Sequence, residues 1–236
     1  MKIMSFNTQH CLNYIERNID FEIMAKAIKD CGADIVGLNE MRDKGVNDQY
    51  LEQTKILSEL TGIENYYFAE AIKFDGGQNP YGNSLLSRYP IVSTETVLIP
   101  TPEPRKYNGY YEQRSLLKAK LENGLTVLVI HFGLNPDEQE RALDAVLKNL
   151  EDEKCILMGD FNMTPDNELL NPIKERMRDT SEFFTSPLLS FPSDNPNIRI
   201  DYIFVSPDIE VISADIPAIV ASDHRPHTAE IKYDGN

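Results

Sequence analysis

Apolar positions along the chain recur with two different periods, and the order in which those periods appear predicts a mixed α/β protein. Residues 2–7 alternate as a short strand, and residues 19–30 carry Ile23, Met24, Ala27 and Ile28 at helical spacing. Cys31-Gly32-Ala33-Asp34 ends that helix, and Ile35-Val36-Gly37-Leu38 follows as a buried strand, a βαβ-like opening. A second helix is predicted from Tyr50 to Leu60, stopped near Gly62. The middle of the chain changes character. Residues 66–72, 84–88, 91–99, 115–121 and 125–131 are strand-like, separated by the turn signals Asp75-Gly76-Gly77, Tyr89-Pro90 and Asn123-Gly124. That spacing predicts antiparallel hairpins. A third helix spans 136–150, with Ala142, Leu143, Val146, Leu147 and Leu150 on its apolar stripe. Residues 154–158 form another buried strand, and late strands follow at 199–205 and 229–233. Two stretches rich in Pro, Asn and Ser, 100–109 and 185–197, read as ordered surface loops. No repeat or linker divides the chain, which reads as one domain over 1–236 with strands of both directions.

The polar residues that could carry chemistry cluster at the ends of these strands. Asn7 ends the first, and Glu40 ends the second apolar run in Gly37-Leu38-Asn39-Glu40. His131 follows Val127-Leu128-Val129-Ile130, and Asp160 and Asn162 follow Ile156-Leu157-Met158. Asp201 starts or interrupts Ile200-Asp201-Tyr202-Ile203-Phe204, while Asp223 and His224 precede the last strand. Ligands of α/β folds gather beyond strand termini, so these groups can converge on one crevice. Carboxylate and amide oxygens without thiolates suit a hard divalent ion such as Mg²⁺. A histidine beside a carboxylate supplies a proton-bearing group of defined tautomer. Taken singly, each element also has a plain reading. Gly159-Asp160-Phe161-Asn162 is equally an Asx-type turn, and His131 is equally a hydrogen-bonded core histidine. Ser222-Asp223-His224 is no hydrolase triad, because adjacent residues cannot form the relay, and Gly-x-Ser-x-Gly is absent.

In combination these residues resemble the endonuclease/exonuclease/phosphatase (deoxyribonuclease I-like) superfamily. The matching pieces run in family order: Ser5-Phe6-Asn7, Gly37-Leu38-Asn39-Glu40, Gly82 to Ile91, Gln113-Arg114-Ser115, Ile130 to Leu134, Gly159 to Asn162, Arg199 to Phe204, and Ser222 to Pro226. Where Asn39 stands, the family usually has Gln. The resemblance implies a four-layer sandwich of two packed mixed β-sheets flanked by helices. It also implies roles. Glu40 would be the principal metal ligand, with Asn7 beside it and Asp223 completing the metal side; Mg²⁺ is the implied ion, with Mn²⁺ as a substitute. Asp160 would orient or deprotonate the attacking water, helped by the Asn162 amide. His224, held by Asp201, and His131 would bind the phosphoryl oxygens. Arg114 is a candidate phosphate contact, and Glu70 the candidate carboxylate that steadies His131. Gln9 lies near a secondary metal position. Asn83 and Arg88 read chiefly as parts of a hairpin turn, with substrate contact as the other reading of Asn83.

Composition bears mainly on the substrate. The chain has 41% hydrophobic and 26% charged residues, ordinary for a protein able to build a core. No apolar run is long enough to span a bilayer. Cys11, Cys31 and Cys155 match neither a disulfide framework nor a zinc pattern, and the first residues lack the sections of a secretory signal, so a cytoplasmic location is expected. With 23 basic against 38 acidic residues the net charge is −15. A protein that grips a long polyanion ordinarily presents a basic face. This balance shifts the expectation to a small phosphorylated substrate and disfavours nucleic acid. In the 99–111 region only Arg105 and Lys106 are cationic, and Tyr107, Tyr110 and Tyr111 either stack on a ring or pack on the surface. The expected activity is hydrolysis of a small organic phosphate mono- or diester. The alternatives are an intracellular endonuclease or exonuclease with a confined basic cleft, and a non-catalytic metal- or phosphate-binding module on the same fold.

Overall fold

The computed structural model describes residues 1–233. Alternation within each strand decides which layer its side chains join. In β1 (Lys2–Asn7), Ile3 enters the cluster between the sheets, whereas Met4 and Phe6 join the cluster under the first helices. The same division runs through β7 (Thr126–His131) and β8 (Cys155–Asp160). Val127, Val129, Ile156 and Met158 face the other sheet, and Leu128, Ile130 and Leu157 face a helix. Strands covered on both faces have no solvent side, which is why they read as nearly unbroken apolar runs.

Two six-stranded sheets result. The first has the order β11 (Glu210–Asp215), β12 (His227–Lys232), β1, β2 (Ile35–Arg42), β4 (Asn79–Ser87), β3 (Asn65–Phe74). The second has the order β5 (Ile91–Ile99), β6 (Arg114–Leu121), β7, β8, β10 (Asp201–Val205), β9 (Arg178–Asp179). Each sheet holds one parallel pair, β1–β2 and β7–β8, and its other pairings are antiparallel. Helix α1 (Phe21–Cys31) crosses over the first pair and α3 (Pro136–Asn149) over the second. Asp20 caps α1 by accepting from the Ile23 amide at 3.1 Å, and Gly32 ends it in the left-handed region. Asn135 and Glu138 form a capping box on α3, with Pro136 in its first turn. This is the sandwich of two mixed sheets with flanking helices that the resemblance implied.

Several boundaries differ from the sequence reading. Helix α2 (Gln53–Thr61) starts three residues later than Tyr50. Tyr50 is instead buried under the Arg42 guanidinium, and Gln53 accepts from the Arg42 amide at 2.8 Å and donates to the His10 carbonyl at 2.8 Å. Strand β4 begins at Asn79, because the β3 hairpin register carries on through Pro80 and Gly82. Strand β11 has no strand-like alternation in the sequence: a register shift between Val211 and Ser213 breaks the pattern and leaves Ile212 exposed. Glu40 does not follow the end of β2. It sits inside the strand, on a bulge between Leu38 and Met41, with φ +61°.

Candidate active site

The carboxyl ends of both parallel pairs open on the same side. Register places Asn7 beside Asn39 in one sheet and His131 beside Asp160 in the other, so four polar strand ends meet across the sandwich. Asn39 ties the two sheets together here. Its amide donates to Asn83 Oδ1 at 2.8 Å and to the Ile130 carbonyl at 2.9 Å, and its Oδ1 accepts from the Asp160 amide at 3.0 Å. Asn83 adds a bond to the Ser115 carbonyl at 2.8 Å. With both polar ends occupied and the residue buried, Asn83 serves as a cross-sheet tie, which fits its structural reading. Arg88 is likewise structural, since its amide donates to the Asp34 carbonyl at 2.9 Å and its Nε lies 3.4 Å from Asp34 Oδ1.

Above these ties lies a crevice of about 620 Å³, whose lining includes Glu40, His131, Asp160, Asn162, Asp223 and His224. Asn7 and Asp201 stand behind it, fully buried. Asn7 bridges its two sides, donating to Glu40 Oε1 at 3.1 Å and to Asp160 Oδ2 at 3.0 Å. Asp160 sits between two imidazoles, its Oδ2 lying 3.5 Å from His131 Nε2 and 3.6 Å from His224 Nε2. Its Oδ1 accepts from the Asn162 amide at 2.9 Å. Glu40 and Asn162 both hold positive φ, backbone strain of the kind that collects where side chains must be aimed.

His224 reaches across the sheets to Asp201, with Nδ1 at 2.8 Å from Oδ2. The loop that carries it is pinned to residues 190–193: the Ser193 amide donates to the Asp223 carbonyl and the Arg225 amide to the Ser190 carbonyl, each at 2.7 Å. Phe191 packs against the imidazole, ring centroids 4.8 Å apart. Burial opposes a charge on His224, but the carboxylates of Asp201 and Asp160 outweigh it and raise its pKa to about 10. Burial pushes Asp160 up to about 7, with Asp201 adding to the rise and His224 working against it. His131 is driven well below the usual histidine value by burial, then by the neighbouring positive charges of Arg114 and His224.

The donor set on the Glu40 side fits a hard divalent cation. Glu40 and Asp223 are hard oxygen donors. The Asn7 side chain lies against Glu40 with its NH2 facing the carboxylate and its oxygen accepting from the Gln9 amide at 3.0 Å, and a rotation of the amide would offer that oxygen to an ion. The Asp223 carboxyl is raised by burial and by Glu40, so two like charges are gathered where a cation would relieve them. Gln9 Oε1, close by in sequence, is buried without a hydrogen-bond partner. Asp160, Asp201 and His224 also bring ligand-type atoms within 4.8 Å of one another. There, however, the imidazole Nδ1 is committed to Asp201, which makes that trio a histidine clamp more than a metal cage.

Glu70 does not meet His131. It is half-buried and lies 3.4 Å from Lys73, on a stretch of β3 where the register shifts between Glu70 and Ile72. Arg114 fills the place expected for a carboxylate: its Nη1 lies 3.1 Å from His131 Nδ1 and 2.6 Å from Glu112 Oε1. Glu112 was not among the predicted residues, although its spacing of two from Arg114 is that of a strand face. Tyr110, one of the three tyrosines named for ring stacking or surface packing, lines the crevice, and so do Tyr81 and Phe191, which the sequence does not single out. Tyr111, by contrast, packs inward, its hydroxyl donating to Asp137 at 2.9 Å. A second cavity of about 630 Å³ adjoins the crevice and shares Thr164 and Ile198 with it.

Known structures give the same fold. An endonuclease/exonuclease/phosphatase protein from Beutenbergia cavernae superposes with a TM-score of 0.78 at 21% identity, covering 98% of this chain and 71% of that one. A mannosyl-6-phosphatase from Bacteroides thetaiotaomicron gives 0.73 at 19% identity, over 99% and 100%. The human Nocturnin catalytic domain gives 0.69 at 15% identity, over 99% and 93%. No curated protein matches the sequence. The profile of the Endonuclease/Exonuclease/phosphatase family does, over residues 4–224, and with these side chains at the crevice the chain belongs to that family.

Proposed function

We propose that this chain is a Mg²⁺-dependent hydrolase of phosphate esters, acting within a single domain on a small organic phosphomonoester or diester. The observation that carries this reading is the placement of the Asp160 carboxylate between two histidines, with Asn7 linking it to Glu40. Phosphoryl transfer asks the protein mainly for positioning and charge compensation. Glu40, Asn7 and Asp223 would hold the ion, which when bound neutralises charge on the phosphoryl and leaving oxygens.

Asp160 orients the water and takes its proton as the new P–O bond forms and the ester P–O bond breaks. Burial, the first cause of its raised pKa, makes it a better base near neutrality than an ordinary aspartate. Cationic His224, kept charged by Asp201, and His131 donate to the phosphoryl oxygens, and the Asn162 backbone N–H supports the Asp160 carboxylate. Tyr81, Tyr110 and Phe191 give the crevice lining aromatic surface suited to a compact leaving group. Among the crevice-lining residues the acids outnumber the cations, which favours a substrate carrying few phosphates over a nucleic acid. The mannosyl-6-phosphatase among the structural neighbours agrees with that choice. Three free, buried cysteines are in keeping with a cytoplasmic setting.

The test is a magnesium-supplemented screen of sugar phosphates, nucleotides, inositol phosphates, phospholipid head-groups and oligonucleotides. The small phosphoesters should turn over. In folded His224→Ala and Asp160→Asn, kcat should fall at least about a hundredfold. Wild-type protein inert toward the whole panel, or either variant at near-normal rate, would overturn the assignment.

A further inference from the structure

The two histidines that flank Asp160 are held by partners of opposite character. His224 Nδ1 faces the Asp201 carboxylate, an acceptor, so that nitrogen carries a proton. His131 Nδ1 faces Arg114 Nη1 at 3.1 Å. A guanidinium has donors and no acceptor, so Nδ1 must accept and is bare. We propose that Arg114 is a positioning residue that fixes His131 as a neutral imidazole protonated on Nε2, so that the ring presents an N–H donor to the crevice.

The surroundings of Arg114 leave it little freedom to do otherwise. Arg114 and His131 are 8% and 6% exposed. The other commitment of Arg114 Nη1 is Glu112 Oε1 at 2.6 Å, and Glu112 is itself anchored where its amide donates to Glu138 Oε1 at 3.0 Å. On the far side of the ring, Asn162 Nδ2 lies 3.2 Å from Nε2 and gives one of its two hydrogens to the Phe132 carbonyl at 3.0 Å. The bare Nδ1 required by Arg114 puts the ring proton on Nε2, which turns the other hydrogen of that NH2 away from the ring. The Nε2 proton is therefore left to face Asp160 Oδ2, at 3.5 Å, and the crevice. Burial together with the Arg114 and His224 charges keeps the ring neutral, in agreement with the geometry. A carboxylate partner would instead draw a second proton onto the ring. Glu112-Arg114-His131 thus forms a chain in which the carboxylate acts one residue removed, holding the arginine that sets the tautomer.

The consequence for turnover rests on the hydrolase reading, whereas the tautomer does not. Long-range ¹H–¹⁵N spectra of protein labelled on histidine nitrogens, taken without added metal at pH 7 and pH 5.5, read the tautomer directly. His131 is assigned by the signal missing in His131→Gln. The expected result is a neutral Nε2-protonated pattern at both pH values. An Nδ1-protonated or doubly protonated ring in the wild type overturns the proposal, whatever the enzyme does. Arg114→Met should convert His131 to a tautomer mixture or a cation and lower kcat on the best small phosphoester about tenfold to a hundredfold, with KM changing less. Arg114→Lys, which keeps a donor, should restore part of the Nε2-protonated population and of the rate. An Arg114→Met spectrum identical to wild type overturns the proposal. If no phosphoester is hydrolysed, the functional reading fails while the spectra still decide the tautomer.

Discussion

At the scale of single residues, Glu40 illustrates how local strain and chemistry coincide. Its positive φ aims the carboxylate off the line of β2 toward Asn7. Replacing it by Gln keeps that hydrogen-bonding shape and removes the charge. Glu40→Gln should raise the magnesium concentration for half-maximal activity about tenfold or more, with little change in unfolding midpoint. An unchanged metal titration would remove Glu40 from the ligand set. The residues that could be read directly, Asn7, Glu40, His131, Asp160, Asn162, Asp201, Asp223 and His224, share one property: each lies at or near a strand end next to an unmistakable apolar run. What could not be read was pairing. Arg114 rather than Glu70 meets His131 because a bulge in β3 turns Glu70 out to Lys73, and nothing in the local sequence announces a bulge.

At the scale of elements, close approach between the sheets depends on Gly37. A Cβ there would lie 2.6 Å from Met158 Sδ and 3.0 Å from Val129 Cγ2. Gly37→Ala should cost about 1–3 kcal/mol in denaturant unfolding. Because Met158 is the main obstacle, Gly37→Ala combined with Met158→Ala should cost less than the two single changes added together, by about 0.5–3 kcal/mol. Strict additivity would mean that the glycine serves another purpose. The helices α1 and α3 and the central strands were legible because their periods are long and their caps explicit. β9 and β11 were not: one has two residues, and the other has an irregular alternation on a sheet edge.

At the scale of the whole molecule, buried neutral histidines set the response to acid. His227 is fully buried, with Nε2 3.0 Å from Thr180 Oγ1 and Nδ1 3.2 Å from the Asp201 carbonyl. Burial first, and then the Arg199 charge, lowers its pKa from 6.5 to about 4. The unfolded chain takes up this proton below pH 6.5, whereas the folded chain resists until about pH 4. Stability is therefore undiminished above pH 6.5 and is lost as the pH falls through that window. His227→Gln should flatten the acid limb by up to one proton, about 1.4 kcal/mol per pH unit, in urea unfolding followed between pH 7 and pH 4. A limb of unchanged slope would show that other groups govern it. The net charge of −15 speaks to partners and not to architecture, which is why composition bears on the proposed substrate whereas periodicity bears on the layers. Among the described residues no helix is long and apolar enough to cross a membrane.

The ties made by Asn39 have a consequence for how the protein comes into being. Asn7, Glu40 and Asn39 belong to one sheet, and His131, Asp160 and Asp201 to the other. Neither sheet alone assembles the crevice, and a slip of one against the other would break both bonds that the Asn39 side chain makes across the sandwich, to the Ile130 carbonyl and from the Asp160 amide. A nascent or partly unfolded chain with only one sheet in place would be catalytically silent instead of partly active. Appearance of turnover during refolding would then time the docking of the two sheets, a late and non-local event that the spectroscopy of secondary structure does not see.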